Sequence, residues 1–134
     1  MTTLPARAAL AALLIAAALP MAEAADPFTV PPAWLKPVAP FRIVEGVYYV
    51  GTEGLGAYLI TSGRQAILLD GTMAENAPRI EDSIKALGYD IRDVKIILNN
   101  HAHIDHAGAM AQIKRDSGAA VYASAADRSA LEHG

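Results

Sequence analysis

The segment HAHIDHAG, residues 101–108, places the narrowest limit on how this chain can fold. Three of the chain's four histidines fall within its first six positions, after an apolar run and before a helix-forming stretch. His101 and His103 are two apart and share one side of an extended chain, which suits one metal ion. Asp105 and His106 begin the turn into the helix and point towards a second position. Because imidazole and carboxylate groups are good zinc ligands, the pattern predicts metal binding.

The composition is that of a folded globular protein and excludes several other classes. Of the 134 residues, 53% are hydrophobic and 19% are charged, which is too apolar for a disordered chain. The formal net charge is -3 and no run of lysine or arginine occurs, so nucleic acid is not an expected partner. Cysteine is absent, so any metal in this stretch must be bound by histidine and carboxylate side chains.

Residues 1–24 have the pattern of a secretory signal peptide. Arg7 provides a positive charge, residues 8–19 are wholly apolar, and residues 22–24 fit the small-x-small cleavage rule. Pro20 ends the apolar run well short of the roughly twenty residues that a membrane span requires. We therefore expect removal of 1–24, a periplasmic location and no stable membrane insertion after cleavage. An uncleaved anchor or a buried alanine-rich helix is the alternative.

The rest of the chain predicts a mixed α/β layer architecture. Five prolines make residues 25–40 an extended lead-in without helix or central strand, in which Trp34 packs on the domain or lines a cleft. An antiparallel meander follows, with strands at Arg42–Val50, Ala57–Thr61 and Ala66–Leu69. The remaining elements are a helix capped by Asn76 and ended by Gly88, a strand buried on both faces at Val94–Leu98, a helix at about Ala107–Ser117, a strand at Ala119–Ala123, and a last helix capped by Ser124.

The His-x-His-x-Asp-His pattern of residues 101–106 is the hallmark of the metallo-β-lactamase superfamily, which the chain resembles from about Trp34 to Gly134. The flanking segments are similar to the third subclass of metallo-β-lactamases: VYYVGTEGLGAYLITS, AILLDGT, AENAPRIEDSIKALGY, DVKIILNNHAHIDHAGAM and SGAAVYASAAD. The resemblance implies a four-layered αβ/βα sandwich with a two-zinc site at one edge of its sheets. Residues 41–134 would be the N-terminal half of that domain, truncated at the C-terminus.

The resemblance also implies roles for individual residues. The implied ligands are two for each ion, His101 and His103 for the first and Asp105 and His106 for the second, and in the family each ion takes a further histidine from later in the chain. Asp105 would also orient the attacking hydroxide and handle its proton. Asp70, at a strand end, has two open interpretations: a carboxylate that caps a turn, or a partner that fixes a metal-binding imidazole. His133, near a helix end, is not expected to be a ligand.

The activity that the resemblance implies is zinc-dependent hydrolysis of the β-lactam ring of antibiotics, with a small-molecule β-lactam as substrate and antibiotic resistance as the consequence. Two alternatives stay open. One is another hydrolase of the superfamily, a thioesterase or a lactonase. The other is a zinc-binding fragment without turnover, because two ligands hold each ion loosely and the isolated chain is expected to hydrolyse nothing.

Overall fold

The strands form one mixed sheet whose order follows the chain. The structure, a computed structural model, describes residues 28–133, and the predicted signal peptide lies outside them. The strands are β1 (Phe41–Val44), β2 (Val47–Tyr49), β3 (Tyr58–Ser62), β4 (Gln65–Leu69), β5 (Val94–Leu98) and β6 (Ala120–Tyr122). β1 to β4 pair antiparallel, which confirms the predicted meander, and β5 and β6 continue the sheet in parallel pairings.

The described residues form five helices. They are α1 (Pro32–Leu35), α2 (Ala77–Ala86), α3 (Ile104–Ala107), α4 (Met110–Ser117) and α5 (Arg128–His133), with short 3-10 turns at Ala74–Asn76 and Ile91–Asp93. Of these helices, α2, α3 and α4 connect parallel strands. α2 and α4 are followed by Gly88 (φ 87°) and Gly118 (φ 73°), whose left-handed backbone ends each helix as predicted. None of the helices in residues 28–133 combines the length and apolar character needed to cross a bilayer.

The hydrophobic core lies between one face of the sheet and helices α2 and α4. Its largest side chains are at most 1% exposed, and they are Leu59, Leu68 and Ile97 from the sheet with Ile80, Ile84 and Ile113 from the helices. The opposite face carries exposed apolar side chains at Ile60 (37%), Leu98 (42%) and Tyr122 (57%). The prediction that β5 is buried on both faces was therefore wrong for the described chain, because its helices cover only one side of the sheet.

The lead-in was predicted to be extended, but it contains the single-turn helix α1. Prolines are tolerated in a first helical turn, because the N–H that they lack has no partner there. α1 packs on the loop before β3: Gly54 N–H donates to Ala33 O at 2.9 Å, and a Cβ added at Gly54 would lie 2.9 Å from Cδ1 of Trp34. Trp34 therefore packs on the domain.

Three other local predictions were wrong. The strand predicted at Arg42–Val50 is the hairpin β1–β2, because the chain turns at Gly46 (φ 75°). Asn76 precedes α2, but its side chain makes no capping bond and is used by other segments. The helix predicted to start after Ser124 begins only at Arg128, behind an additional turn.

The helix predicted at Ala107–Ser117 is divided into α3 and α4. The division falls at Gly108 and Ala109, where the backbone packs against the segment that follows β4. The N–H of Ala109 donates to Thr72 O at 3.2 Å, and a Cβ added at Gly108 would lie 2.6 Å from Ala74 N. This contact with the segment after β4 makes α3 a separate single turn. Helical periodicity in the sequence does not predict such a contact.

Candidate metal centre

Parallel strands bring three distant segments to one edge of the sheet. β4, β5 and β6 run in the same direction, so their carboxyl ends share that edge. Asp70 follows β4, the histidine segment follows β5, and the turn that contains Asp127 follows β6. Ligand sites of open α/β sheets form at this edge, outside the carboxyl ends of the strands.

His101, His103 and Asp105 form a group that can hold a metal ion. Each offers one ligand atom, and these atoms all lie within 4.8 Å of one another. The imidazole rings of His101 and His103 meet edge to face with centroids 4.6 Å apart. His103 is exposed and the other two are half-buried, so the donors are open to solvent on one side.

His106 lies beside this group. Its ring centroid is 4.1 Å from that of His101, and its Nε2 atom is 3.6 Å from Oδ2 of Asp105. The sequence pattern grouped Asp105 with His106, whereas the structure places this carboxylate next to His106 and also next to His101 and His103. Asp105 is therefore adjacent both to the pair His101 and His103 and to His106.

Asp70 contacts the imidazole ring of His106 directly. Asp70 is buried, with 5% of the residue exposed, and its Oδ2 lies 2.8 Å from Nδ1 of His106. Oδ1 accepts the backbone N–H of Asn100 at 2.8 Å. The carboxylate thus stabilises the turn after β5 and also contacts the imidazole of His106, while its role as the partner of a metal-binding imidazole stays a prediction. A proton on Nδ1 directed at Asp70 leaves the lone pair of Nε2 free for an ion.

Asp127 is a residue of this site that sequence reasoning missed. Its Oδ1 accepts the N–H of Ala102, the residue between two metal-binding candidates, at 3.4 Å. A hydrogen bond from Ser124 Oγ (2.6 Å) holds the pKa of Asp127 below its ordinary value, and the nearby imidazoles of His101 and His103 act in the same direction. The Ser-x-x-Asp pattern after the third parallel strand was the available signal.

The donor set fits zinc better than it fits a hard cation. Imidazole nitrogen and a single carboxylate are ligands that zinc prefers, while calcium and magnesium require mostly oxygen. Two ligands of a tetrahedral zinc ion lie about 3.4 Å apart, given bond lengths of about 2.0–2.2 Å. The observed spacing therefore requires only small side-chain adjustments to bring these atoms onto one ion.

Comparison with protein families gives a match over more than half of the chain. Residues 57–134 match the family model described as the metallo-beta-lactamase superfamily. Among curated proteins, the N-acyl homoserine lactonase AttM of Agrobacterium fabrum is 55% identical over 29 residues, which are 22% of this chain and 11% of the lactonase.

Solved structures resemble a larger share of the chain. BJP-1, a subclass B3 metallo-beta-lactamase of Bradyrhizobium japonicum, is 40% identical with a TM-score of 0.73, and the match covers 75% of this chain and 38% of BJP-1. LRA-12, a class B3 di-zinc metallo-beta-lactamase from an Alaskan soil metagenome, is 44% identical with a TM-score of 0.68, covering 72% of this chain and 36% of LRA-12. The chain thus spans little more than a third of the length of the structures it matches.

Proposed function

The chain belongs to the metallo-β-lactamase superfamily, and on that premise we propose that the protein is a zinc-dependent hydrolase that opens the β-lactam ring of antibiotics. The observation that carries the proposal is the cluster of His101, His103 and Asp105 at the carboxyl edge of the sheet, with His106 beside it. Identities of 40 to 44% to subclass B3 β-lactamases support the substrate class.

The mechanism that we propose follows from the positions of the side chains. When bound, zinc supplies hydroxide at neutral pH by lowering the pKa of water to about 7, and it polarises the carbonyl under attack. His101 and His103 would hold the ion through ring nitrogens, and His106 would present Nε2 if the proton on Nδ1 is directed at Asp70. Asp105 adjoins both donor sets, where its carboxylate would orient the attacking group, accept its proton and pass that proton to the ring nitrogen as the C–N bond breaks.

Turnover of a chromogenic cephalosporin by the complete reading frame tests this function. We expect activity that a chelator abolishes and added zinc restores. Asp105→Asn keeps the size of the side chain but removes its charge, so turnover should fall steeply. His133→Ala is the matched control, because the fourth histidine bonds to Ser129 O within α5 and lies outside the metal-binding group. Activity that survives the chelator contradicts zinc catalysis.

A lactonase is the second candidate, and the short match to the N-acyl homoserine lactonase favours it. Both reactions use the same attack on a cyclic carbonyl, so the ligand residues do not separate them. The same preparation should be assayed with a β-lactam and with an N-acyl homoserine lactone at equal concentrations. A higher kcat/KM for the lactone would reassign the substrate.

We also propose that the protein acts in the periplasm. The n-region, apolar run and cleavage pattern of residues 1–24 support export. Osmotic-shock fractionation of cells that express the complete reading frame should release the protein, and its N-terminal residue should be Ala25. Retention of residues 1–24 on the purified protein would contradict the cleaved signal.

A further inference from the structure

Two residues of strained backbone flank Gly71 beside the metal centre. Asp70 (φ 60°) and Thr72 (φ 53°) are the non-glycine residues with positive φ among residues 28–133. The left-handed conformation is unfavourable for a β-branched residue, because its Cβ approaches the following carbonyl oxygen. Such strain persists only where surrounding contacts enforce it, so the contacts of Thr72 are informative.

Thr72 is held by a buried amide. Its side chain is 0% exposed, and its Oγ1 accepts a hydrogen bond from Nδ2 of Asn76 at 3.0 Å. Asn76 is also 0% exposed, and its Nδ2 donates a second bond to Trp34 O at 2.9 Å. Its Oδ1 accepts from Nη1 of Arg79 at 2.8 Å. Partners on both ends of the amide fix its orientation, so Asn76 ties α1 to the strained segment.

The strained segment transmits this constraint to His106. Gly71 N–H donates to the carbonyl of His106 at 2.7 Å, while the carboxylate of Asp70 holds the ring. On the other side, a Cβ at Gly108 would lie 2.9 Å from Thr72 O, so the two backbones are in direct contact. A shift of Thr72 therefore moves the backbone of α3 and changes where the imidazole of His106 points.

We propose that Thr72 and Asn76 are positioning residues for metal binding at His106. The carbonyl of Trp34, which accepts a hydrogen bond from Asn76, helps to hold Asn76 in place. The proposal rests on the proposed function, in which His106 is a zinc ligand. Neither residue touches the ion. They act through the conformation of residues 70–72, which the hydroxyl of Thr72 maintains.

Stepwise Zn²⁺ binding to the complete protein, in competition with a chromophoric chelator, tests the proposal without using activity. The binding step lost in His106→Ala identifies the affected site. Thr72→Val removes the hydroxyl at nearly constant shape, and it should weaken that step about tenfold while leaving the other step unchanged. Thr72→Ser keeps the hydroxyl and should retain both steps.

Controls separate positioning from general loss of stability. Ile84→Val removes a methylene group from the core on α2 and should lower the melting temperature, and Ile84 takes part in none of the hydrogen bonds given above for Thr72, Asn76 and Asp70. It should leave both binding steps unchanged. If Thr72→Val does not fold, Thr72→Ala, which is smaller and less strained, takes its place. Equal weakening of both steps, or a changed melting temperature with unchanged binding, overturns the proposal. A wild-type protein that binds no zinc contradicts the proposed function instead.

Discussion

Replacing Asp70 with asparagine removes a buried charge beside His106 without changing the size of the side chain. Oδ1 of the carboxylate accepts hydrogen bonds from Asn100 N at 2.8 Å and from Asn99 Nδ2 at 3.5 Å, and Oδ2 lies 2.8 Å from His106 Nδ1. An asparagine side chain has only one oxygen. Because the backbone N–H of Asn100 can only donate, that oxygen stays directed at Asn100. The new NH2 group then faces Nδ1 of His106, and the imidazole must move its proton to Nε2. A protonated Nε2 cannot bind zinc.

The magnitude follows from the hydrogen bond that is lost. A bond to a charged group contributes about 1.5–3 kcal/mol, and about 1.4 kcal/mol corresponds to a factor of ten in a binding constant. We therefore expect zinc affinity at the His106 step to fall by about 10- to 100-fold, the usual range for outer partners of a ligand histidine. The other step should change little, since Asp70 makes no hydrogen bond to His101 or His103 among the contacts of the described residues.

Equilibrium competition with a chromophoric chelator measures both steps in the complete protein. Asp82→Asn is the matched control, because it removes one carboxylate from the exposed surface of α2. Saturating zinc should restore most of the turnover of Asp70→Asn, since the variant still contains every ligand. Wild-type affinity at both steps in Asp70→Asn would refute the role of the carboxylate in setting the tautomer of His106.

Three further predictions concern other residues. Asp127→Asn should weaken zinc binding at the His101–His103 step, by less than Asp70→Asn does, because its bond to Ala102 N is long, at 3.4 Å, and only partly buried; unchanged chelator competition would contradict this. Gly108→Ala should lower the free energy of unfolding by about 1–3 kcal/mol in urea titrations, because the added Cβ meets backbone atoms, and wild-type stability would show that the segment can move. Burial and the carboxyl group of Asp116 raise the pKa of Glu81 above the ordinary value of a glutamate side chain. A raised folded-state pKa stabilises the protein below the unfolded pKa, and that contribution is lost as the pH rises through the folded pKa. Glu81→Gln should therefore raise the melting temperature at pH 8, with the gain disappearing below about pH 4, the usual carboxyl range; an equal gain at both pH values would contradict the cause.

Features that depend on neighbouring residues could be predicted from the sequence. Short apolar runs bounded by turn residues or charged residues indicated the strands β3, β4 and β5, and glycines that accept a left-handed backbone marked the ends of α2 and α4. The clustered donors of residues 101–106 indicated a metal site, because their spacing along the chain already brings them together. The family relationship carried by the same residues is confirmed, as is the mixed α/β fold over the part of the family's structure that the chain spans.

Only the tertiary structure decided the contacts between segments far apart in the chain. Asp70 and Asp127 reach the histidine segment because parallel pairing places three strand ends at one edge of the sheet. Asn76 looks like a helix cap in the sequence, yet its amide bonds to Trp34 and Thr72, 42 and 4 residues away. Local pattern records which conformations a segment prefers. It does not record hydrogen bonds to segments that are distant in the sequence and adjacent only in the fold. At this site such bonds orient His106.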